Sequence, residues 1–262
     1  MADKKSITQT LSLYPDAGEL FKSKTKSSSG LVFFIHFFGG NKKILKRHVE
    51  LITELGFDAY IFNIKDSIKD YSYFPFSAKS KKFGLKHVIA DQIEMHLNLF
   101  PEFKNKIVFS FSNISACAIE AISRRIKIEN KNDVKAMLCD SGPGMDVITS
   151  SFNLMKYQFK VNSIFARTAT AAIFSMGWSY QLNKDLHTDL ENFPNNFPLL
   201  SIRGWRDQLI SHQSIDAVFQ PHTNLKWKKL NLPEAGHVNG LRDFPNEYKP
   251  AVENFLSTVK FI

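Results

Sequence analysis

Short apolar runs rich in β-branched and aromatic residues alternate with helical patterns from Gly30 onward. The first three pairs of run and helical pattern are residues 31–38 and 42–55, 58–64 and 82–99, and 106–111 and 113–128. Strands separated by helices cannot form hairpins, so they pair in parallel while the helices cross over the sheet. This alternation predicts an α/β fold with a mostly parallel central sheet and helices on both faces.

The pattern changes after the strand predicted at residues 134–139. About fifty mainly helical residues follow, with helices predicted at 152–165 and 168–181, and they suggest a helical cap insertion at about 144–195. Strands at 198–203 and 224–230, with helices at 211–218 and 247–260, then continue the alternation. Residues 1–29 look like a lead-in with one edge strand. We therefore expect a single domain over residues 1–262.

Composition, net charge and cysteine content limit which kinds of protein this chain can be. A chain of 262 residues with 44% hydrophobic residues can bury a large core, and its net charge of +9 favours anionic partners. Cys117 and Cys139 fall in a predicted helix and strand end, so they suggest no disulfide framework. The N-terminus lacks the apolar core of a secretory signal, and no apolar run is long enough to span a bilayer. We expect a soluble protein, cytoplasmic unless it is exported without a signal.

The segment from Lys106 to Ile122 contains a serine between a buried strand and a helix. A sharp turn there would lift the hydroxyl of Ser112 above the sheet, beside the backbone N–H of the next residue. The usual G-x-S-x-G pattern is replaced by Ser110-Phe-Ser-Asn-Ile114, with a bulky residue at the last position. Ser115 and Ala116 would then provide the close contact between helix and strand. The alternative is an ordinary turn serine.

A serine nucleophile needs a histidine base and a carboxylate that orients it. Asp207 follows the strand at 198–203, and His237 follows the last predicted strand. The order Ser, Asp, His is that of α/β-hydrolases. Asp140 and Asp216 compete with Asp207 for the acid, whereas the seven other histidines occupy less suitable positions.

The loop His36-Phe-Phe-Gly-Gly40 follows the first strong strand and would supply a second oxyanion donor. An N–H from Phe37 or Phe38 would act together with that of Asn113. An ordinary strand-to-helix turn explains these glycines equally well. Neither metal-ligand spacing nor a phosphate-binding loop occurs, so no cofactor or metal is expected.

Four motifs taken together resemble one branch of the α/β-hydrolase superfamily, the uncharacterised branch related to transmembrane protein fifty-three. They are Phe-Ser112-Asn-Ile-Ser, Cys-Asp140-Ser-Gly-Pro-Gly, Asp207-Gln-Leu-Ile, and His237-Val-Asn-Gly-Leu-Arg-Asp-Phe-Pro-Asn-Glu-Tyr248. The resemblance covers residues 31–257 and implies an α/β-hydrolase fold with Ser112, Asp207 and His237 as catalytic residues. This chain departs from the branch at three places. The branch has two glycines where this chain has Ile114 and Ser115, and alanine where it has Gly142. At Asn239-Gly240 the branch has a variable residue followed by histidine.

The sequence therefore predicts a serine hydrolase that cleaves carboxylic esters, including lipid or acyl esters, through an acyl-enzyme intermediate. Its partners would be a small-molecule or lipid ester and an anionic membrane surface, while nucleic acid is disfavoured because no recognition motif accompanies the charge. The alternative is a catalytically inactive, hydrolase-like scaffold that binds a membrane or protein partner.

Overall fold

The computed structural model describes residues 18–25, 30–71 and 74–259, with the side chain of residue 68 left out. Most of the predicted lead-in lies outside these residues. Its described part contains a three-residue strand, Glu19–Phe21, which pairs antiparallel with the strand Asp58–Phe62 at the edge of the sheet.

Within the described ranges, seven strands form one sheet in the order β1-β3-β2-β4-β5-β6-β7. In chain order they are β1 Glu19–Phe21, β2 Leu31–Ile35, β3 Asp58–Phe62, β4 Lys106–Phe111, β5 Val134–Asp140, β6 Phe197–Gly204 and β7 Leu225–Leu232. All neighbours apart from β1 and β3 pair in parallel. The prediction of a mostly parallel sheet is confirmed, and its carboxyl edge is where loops from several strands meet.

Helices connect the strands and cover the sheet. They are α1 Lys46–Glu54, α2 Leu85–Asn98, α3 Ile114–Lys127, α4 Val147–Asn153, α5 Ile164–Trp178, α6 Leu182–Glu191, α7 His212–Phe219, α8 Gly240–Asp243 and α9 Pro245–Ser257. Single 3₁₀ turns occur at Lys42–Leu45 and Ile68–Tyr71, and a π-helical turn at Leu154–Gln158 follows α4.

Alternate residues of each strand pack on opposite faces of the sheet. In β2, Phe33 belongs to the core shared with α2 and α3, whereas Phe34 belongs to the core shared with α1 and α9. Both faces are therefore covered, which explains why strands β2 to β5 consist mainly of apolar residues. Cys117 and Cys139 are buried and unpaired. Among the described residues, no helix is long and apolar enough to cross a membrane.

The chain between β5 and β6 forms α4, the π-helical turn, α5 and α6; we call residues 144–195 the cap segment. The predicted helix at 152–165 is wrong beyond residue 158, because the chain leaves helical geometry there and Lys160 has a φ of 53°. Ser163 then starts α5 as its N-cap, with its hydroxyl accepting a hydrogen bond from the N–H of Ala166. The break between the two predicted helices, expected at 166–167, therefore lies at 159–163.

Buried charges hold α6 against the body of the molecule. The ammonium of Lys86 on α2 is 2.8 Å from the carboxylate of Glu120 on α3 and 3.2 Å from that of Asp189 on α6. Burial alone would lower the pKa of Lys86, but these carboxylates outweigh it, so the pKa is raised. Lys86 therefore has two carboxylate partners, and its removal would leave two largely buried carboxylates without their shared partner.

Candidate active site

Ser112 occupies the sharp turn between β4 and α3. Its φ is +55°, a left-handed conformation that non-glycine residues seldom adopt, and its N–H donates a 2.8 Å hydrogen bond to the carbonyl of Asp140 on β5. The neighbouring strand thus holds the strained turn in place. Gly142 lies directly against it, since a Cβ there would be 2.4 Å from the carbonyl oxygen of Ser112.

Ile114, the bulky residue in the serine motif, points into the core and is fully buried. The close approach of strand and helix is instead made by two small residues, with the hydroxyl of Ser110 bonded to that of Ser115 at 2.9 Å. The left-handed turn therefore accommodates isoleucine without the usual glycine.

Three side chains from separate loops meet above the carboxyl edge of the sheet. His237 Nε2 is 3.0 Å from Ser112 Oγ, and His237 Nδ1 is 2.7 Å from Asp207 Oδ2. The other oxygen of Asp207 accepts hydrogen bonds from the N–H groups of Leu209 and Ile210 at 2.8 and 3.0 Å. The carboxylate of Asp207 is buried and fixed, so it can hold the imidazole in one orientation.

The competing carboxylates have other partners. Asp216 pairs with the guanidinium of Arg203 and lies 3.6 Å from the ammonium of Lys229. Asp140 accepts hydrogen bonds from the hydroxyls of Tyr248 and Ser141, at 2.8 and 2.9 Å.

The contacts of Asp140 reach the histidine loop. Besides donating to Asp140, the hydroxyl of Ser141 accepts a 2.9 Å bond from the N–H of Val238, next to His237. Complete burial raises the pKa of Asp140 to about 6, although the hydrogen bonds from Tyr248 and Ser141 act in the opposite direction. Sequence reasoning missed Ser141 and Tyr248 because their roles depend on contacts between distant segments. Both nevertheless fall within the motifs of the resemblance.

The loop expected to supply an oxyanion donor is fastened on both sides. His36 Nδ1 contacts the carbonyl of Phe37 at 2.9 Å, and His36 Nε2 accepts a 3.1 Å bond from the N–H of Ile64. This pattern requires the neutral tautomer with its proton on Nδ1. Burial lowers the pKa of His36 and so favours that neutral form. Gly39 adopts a φ of +72° and donates its N–H to Asp66 at 2.6 Å.

A narrow, mainly apolar cavity of about 70 Å³ opens beside Ser112. Its walls are Phe37, Phe38, Ser112, Asn113, Val147, Ser150, Ser151, Leu154, Gln158, Phe174, Trp178, Leu209, Ile210 and His237. The rings of Phe174 and Trp178 on α5 lie edge-on to Phe38, with centroids 5.2 and 6.1 Å away. The cap segment therefore contacts the body and lines the cavity with the same aromatic residues. Phe37, Phe38 and Asn113, the expected oxyanion donors, all lie at this cavity.

The sheet order, the parallel strands and the serine turn together define the α/β-hydrolase fold. No protein-family model matches the sequence, and no curated protein matches it.

Several solved structures resemble the fold. Esterase Pf2001 of Pyrococcus furiosus superimposes with a TM-score of 0.61 at 15% identity, over 98% of this chain and 93% of that chain. A thermostable carboxyl esterase of Bacillus coagulans gives 0.62 at 13% identity, covering 93% and 94% respectively. A monoacylglycerol lipase of Paleococcus ferrophilus gives 0.59 at 12% identity, covering 94% and 100%. At these identities the likeness establishes the fold.

Proposed function

We propose that this protein is a serine hydrolase that cleaves carboxylic esters. The observation that carries the proposal is the continuous hydrogen-bonded chain from Ser112 through His237 to Asp207. That arrangement activates a hydroxyl in proteins of many folds. The esterases and the lipase among the similar structures support ester substrates, and the sequence motifs support the branch related to transmembrane protein fifty-three.

The residues at the cavity suit both halves of an acyl transfer. Ser112 Oγ would bond to the acyl carbon while His237 Nε2 takes its proton, and the C–O bond to the alcohol would break as His237 returns that proton to the leaving oxygen. Water would then release the acid by the same steps. Asp207 would stabilise the imidazolium, and the N–H of Asn113 with that of Phe37 or Phe38 would hold the oxyanion.

We infer that the substrate is a hydrophobic acyl ester. The cavity walls contributed by the cap segment are mainly apolar, which favours an acyl chain over a sugar or a charged acid. The net charge of +9 supports an anionic membrane surface as a second partner.

Covalent labelling with a fluorophosphonate tests this proposal. We expect an adduct on Ser112, located by peptide mass spectrometry, that is absent from Ser112→Ala. Loss of the base should slow labelling by several orders of magnitude in His237→Ala, and Asp207→Asn should lower the hydrolysis of p-nitrophenyl esters by about 10⁴-fold. A folded wild type that fails to react would contradict the proposal and favour an inactive scaffold that binds a partner.

A further inference from the structure

Helix α5 is apolar on two opposite faces. Its inner face carries Ala171, Phe174 and Trp178, which pack toward the body of the molecule. The outer face carries Phe165, Ile173 and Met176, with 85%, 64% and 57% of their surface exposed. At about 3.6 residues per turn, Ala166, Ala169 and Ala172 fall on that same outer face. A helix with apolar residues all round is normally covered on both sides.

Neighbouring elements extend this outer surface. Ile148 of α4 is 66% exposed and lines one shallow groove together with Ala172, Met176 and Tyr180. Phe159 is also exposed, and it belongs to the segment tied to the first turn of α5 by Arg167, whose guanidinium donates to the carbonyls of Val161 and Asn162. We call Phe165, Ala166, Ala169, Ala172, Ile173 and Met176 of α5, together with Ile148, Phe159 and Tyr180, the outer apolar surface. Contiguous apolar surfaces of this kind mark interaction sites.

The charges around the outer apolar surface are mainly basic, although the exposed side chain of Asp146 also lines the groove. Between Val147 and Lys184 the chain contains four basic residues and no Asp or Glu. The basic residues are Lys156, Lys160, Arg167 and Lys184. The three lysines are exposed. Apolar and aromatic side chains with basic neighbours are the combination that binds the headgroup region of anionic bilayers.

A second copy of this chain fits the surface less well. In a symmetric dimer the same patch faces itself, so the basic residues of one copy would meet those of the other. Between residues 146 and 184 the sequence has one carboxylate, Asp146, against four basic residues, so the segment offers too little opposite charge to neutralise them. Anionic phospholipid supplies both the apolar phase and the opposite charge.

We propose that the outer apolar surface docks on an anionic phospholipid bilayer. The same helix lines the cavity beside Ser112 through Phe174 and Trp178, so docking would bring that cavity to the lipid surface. If the protein hydrolyses esters as proposed, the docked bilayer is where its substrate comes from, and this part of the proposal rests on that function. Binding itself requires no catalysis.

Vesicle co-sedimentation tests the docking surface. The full chain with Ser112→Ala is mixed with vesicles of phosphatidylcholine alone or of phosphatidylcholine with phosphatidylglycerol. We expect binding to the anionic vesicles, weakened by salt, and little binding to the neutral ones. No binding of the folded protein to anionic vesicles would overturn the proposal.

Two sets of substitutions separate the apolar and electrostatic contributions. Phe165→Ser and Ile173→Ser should each lower the affinity for anionic vesicles at least about tenfold, because each removes an apolar side chain from the bilayer. Lys156→Gln and Lys160→Gln should each lower it about fivefold. The matched controls are Ile128→Ser, a side chain that is 70% exposed, and Lys104→Gln.

Both controls lie at the opposite edge of the sheet, because Lys104 precedes β4 and Ile128 follows the end of α3. Equal binding by the apolar variants and the wild type would overturn the proposal, since net charge alone would then explain the affinity. So would a stable dimer in sedimentation velocity that Phe165→Ser and Ile173→Ser dissociate, because a second copy would then cover the surface.

Fluorophosphonate labelling without vesicles tests the hydrolase separately. Phe165→Ser and Ile173→Ser should label at the wild-type rate while losing vesicle binding, which also shows that they fold. A protein that binds anionic vesicles but does not label would contradict the proposed function and leave the docking surface standing.

Discussion

At the scale of single residues, a substitution at Gly142 should disturb the turn at Ser112 most directly. A Cβ at this position would lie 2.4 Å from the carbonyl oxygen of Ser112 and 2.8 Å from its Cα, so the strained turn would have to move. A displacement of about 1 Å at a reacting group can lower a rate about 100-fold. The branch related to transmembrane protein fifty-three has alanine here, but beside two glycines at the positions of Ile114 and Ser115. In this chain, which lacks those glycines, we expect Gly142→Ala to reduce fluorophosphonate labelling of Ser112 by about that factor.

Gly236→Ala is the matched control for Gly142→Ala. Gly236 adjoins His237, yet a Cβ there would meet nothing closer than 3.7 Å, which is ordinary van der Waals contact. The Gly236→Ala variant should react with fluorophosphonate at close to the wild-type rate and have an unchanged circular dichroism spectrum. Equal rates for the two variants would show that the turn tolerates displacement.

The sequence predicted residue positions better than residue contacts. The strand that precedes each of Ser112, Asp207 and His237 predicted that they share one edge of the sheet, and the structure brings them within hydrogen-bonding distance. The sequence also predicted that Ser115 and Ala116 would make the close contact between helix and strand in place of Ile114. Ser115 does so, but its bond to the hydroxyl of Ser110 was not predicted, because the pairing depends on how closely α3 approaches β4.

At the scale of secondary structure elements, Asp140 links three parts of the fold. It ends β5, contacts Tyr248 of α9, and reaches Val238 of the histidine loop through the hydroxyl of Ser141. Burial raises its pKa to about 6 in the folded protein, against about 3.9 in an unfolded chain. The folded state therefore binds the proton more tightly than the unfolded state does.

The sign of the pH dependence follows from that difference. A raised carboxyl pKa contributes stability at low pH, and this contribution is lost as the pH rises from about 4 through about 6. The lost contribution is on the order of 3 kcal/mol. Asp140→Asn removes the titrating group. Between about pH 4 and pH 6, the free energy of unfolding of this variant should therefore rise relative to that of the wild type. Urea unfolding at a series of pH values measures it, and parallel pH profiles would contradict the assignment.

Elements bounded by clear local signals were predicted well. The predicted strand at residues 106–111 coincides with β4, and the predicted helix at 113–128 differs from α3 by one residue at each end. The helices of the cap segment were predicted less well, because apolar residues continue through the break at 159–163. The ends there depend on Ser163 as an N-cap and on the guanidinium of Arg167 bonding to nearby carbonyls. Neither contact leaves a periodic signal in the sequence.

At the scale of the whole molecule, the sheet joins two cores and the cap segment into one unit. Strands β2 to β6 contribute residues to the cores on both faces. Lys86, Glu120 and Asp189 join α6 to α2 and α3 through buried ion pairs. Releasing the cap segment would break these ion pairs and would also expose Leu182, Leu186 and Leu190 of α6, which are buried in the core, so its early detachment is disfavoured.

We therefore expect one cooperative unfolding transition. Ser112, Asp207 and His237 come from the loops after β4, β6 and β7, so the chain of hydrogen bonds requires strands β4 to β7 to be intact. Labelling of Ser112, far-ultraviolet circular dichroism and tryptophan fluorescence should be lost at the same urea concentration, which is the test of two-state behaviour. Trp178 provides the cap signal, isolated by comparison with a Trp178→Phe variant. If that signal and labelling disappear before the circular dichroism changes, the cap segment is a separate unfolding unit and the buried ion pairs do not hold it to the sheet.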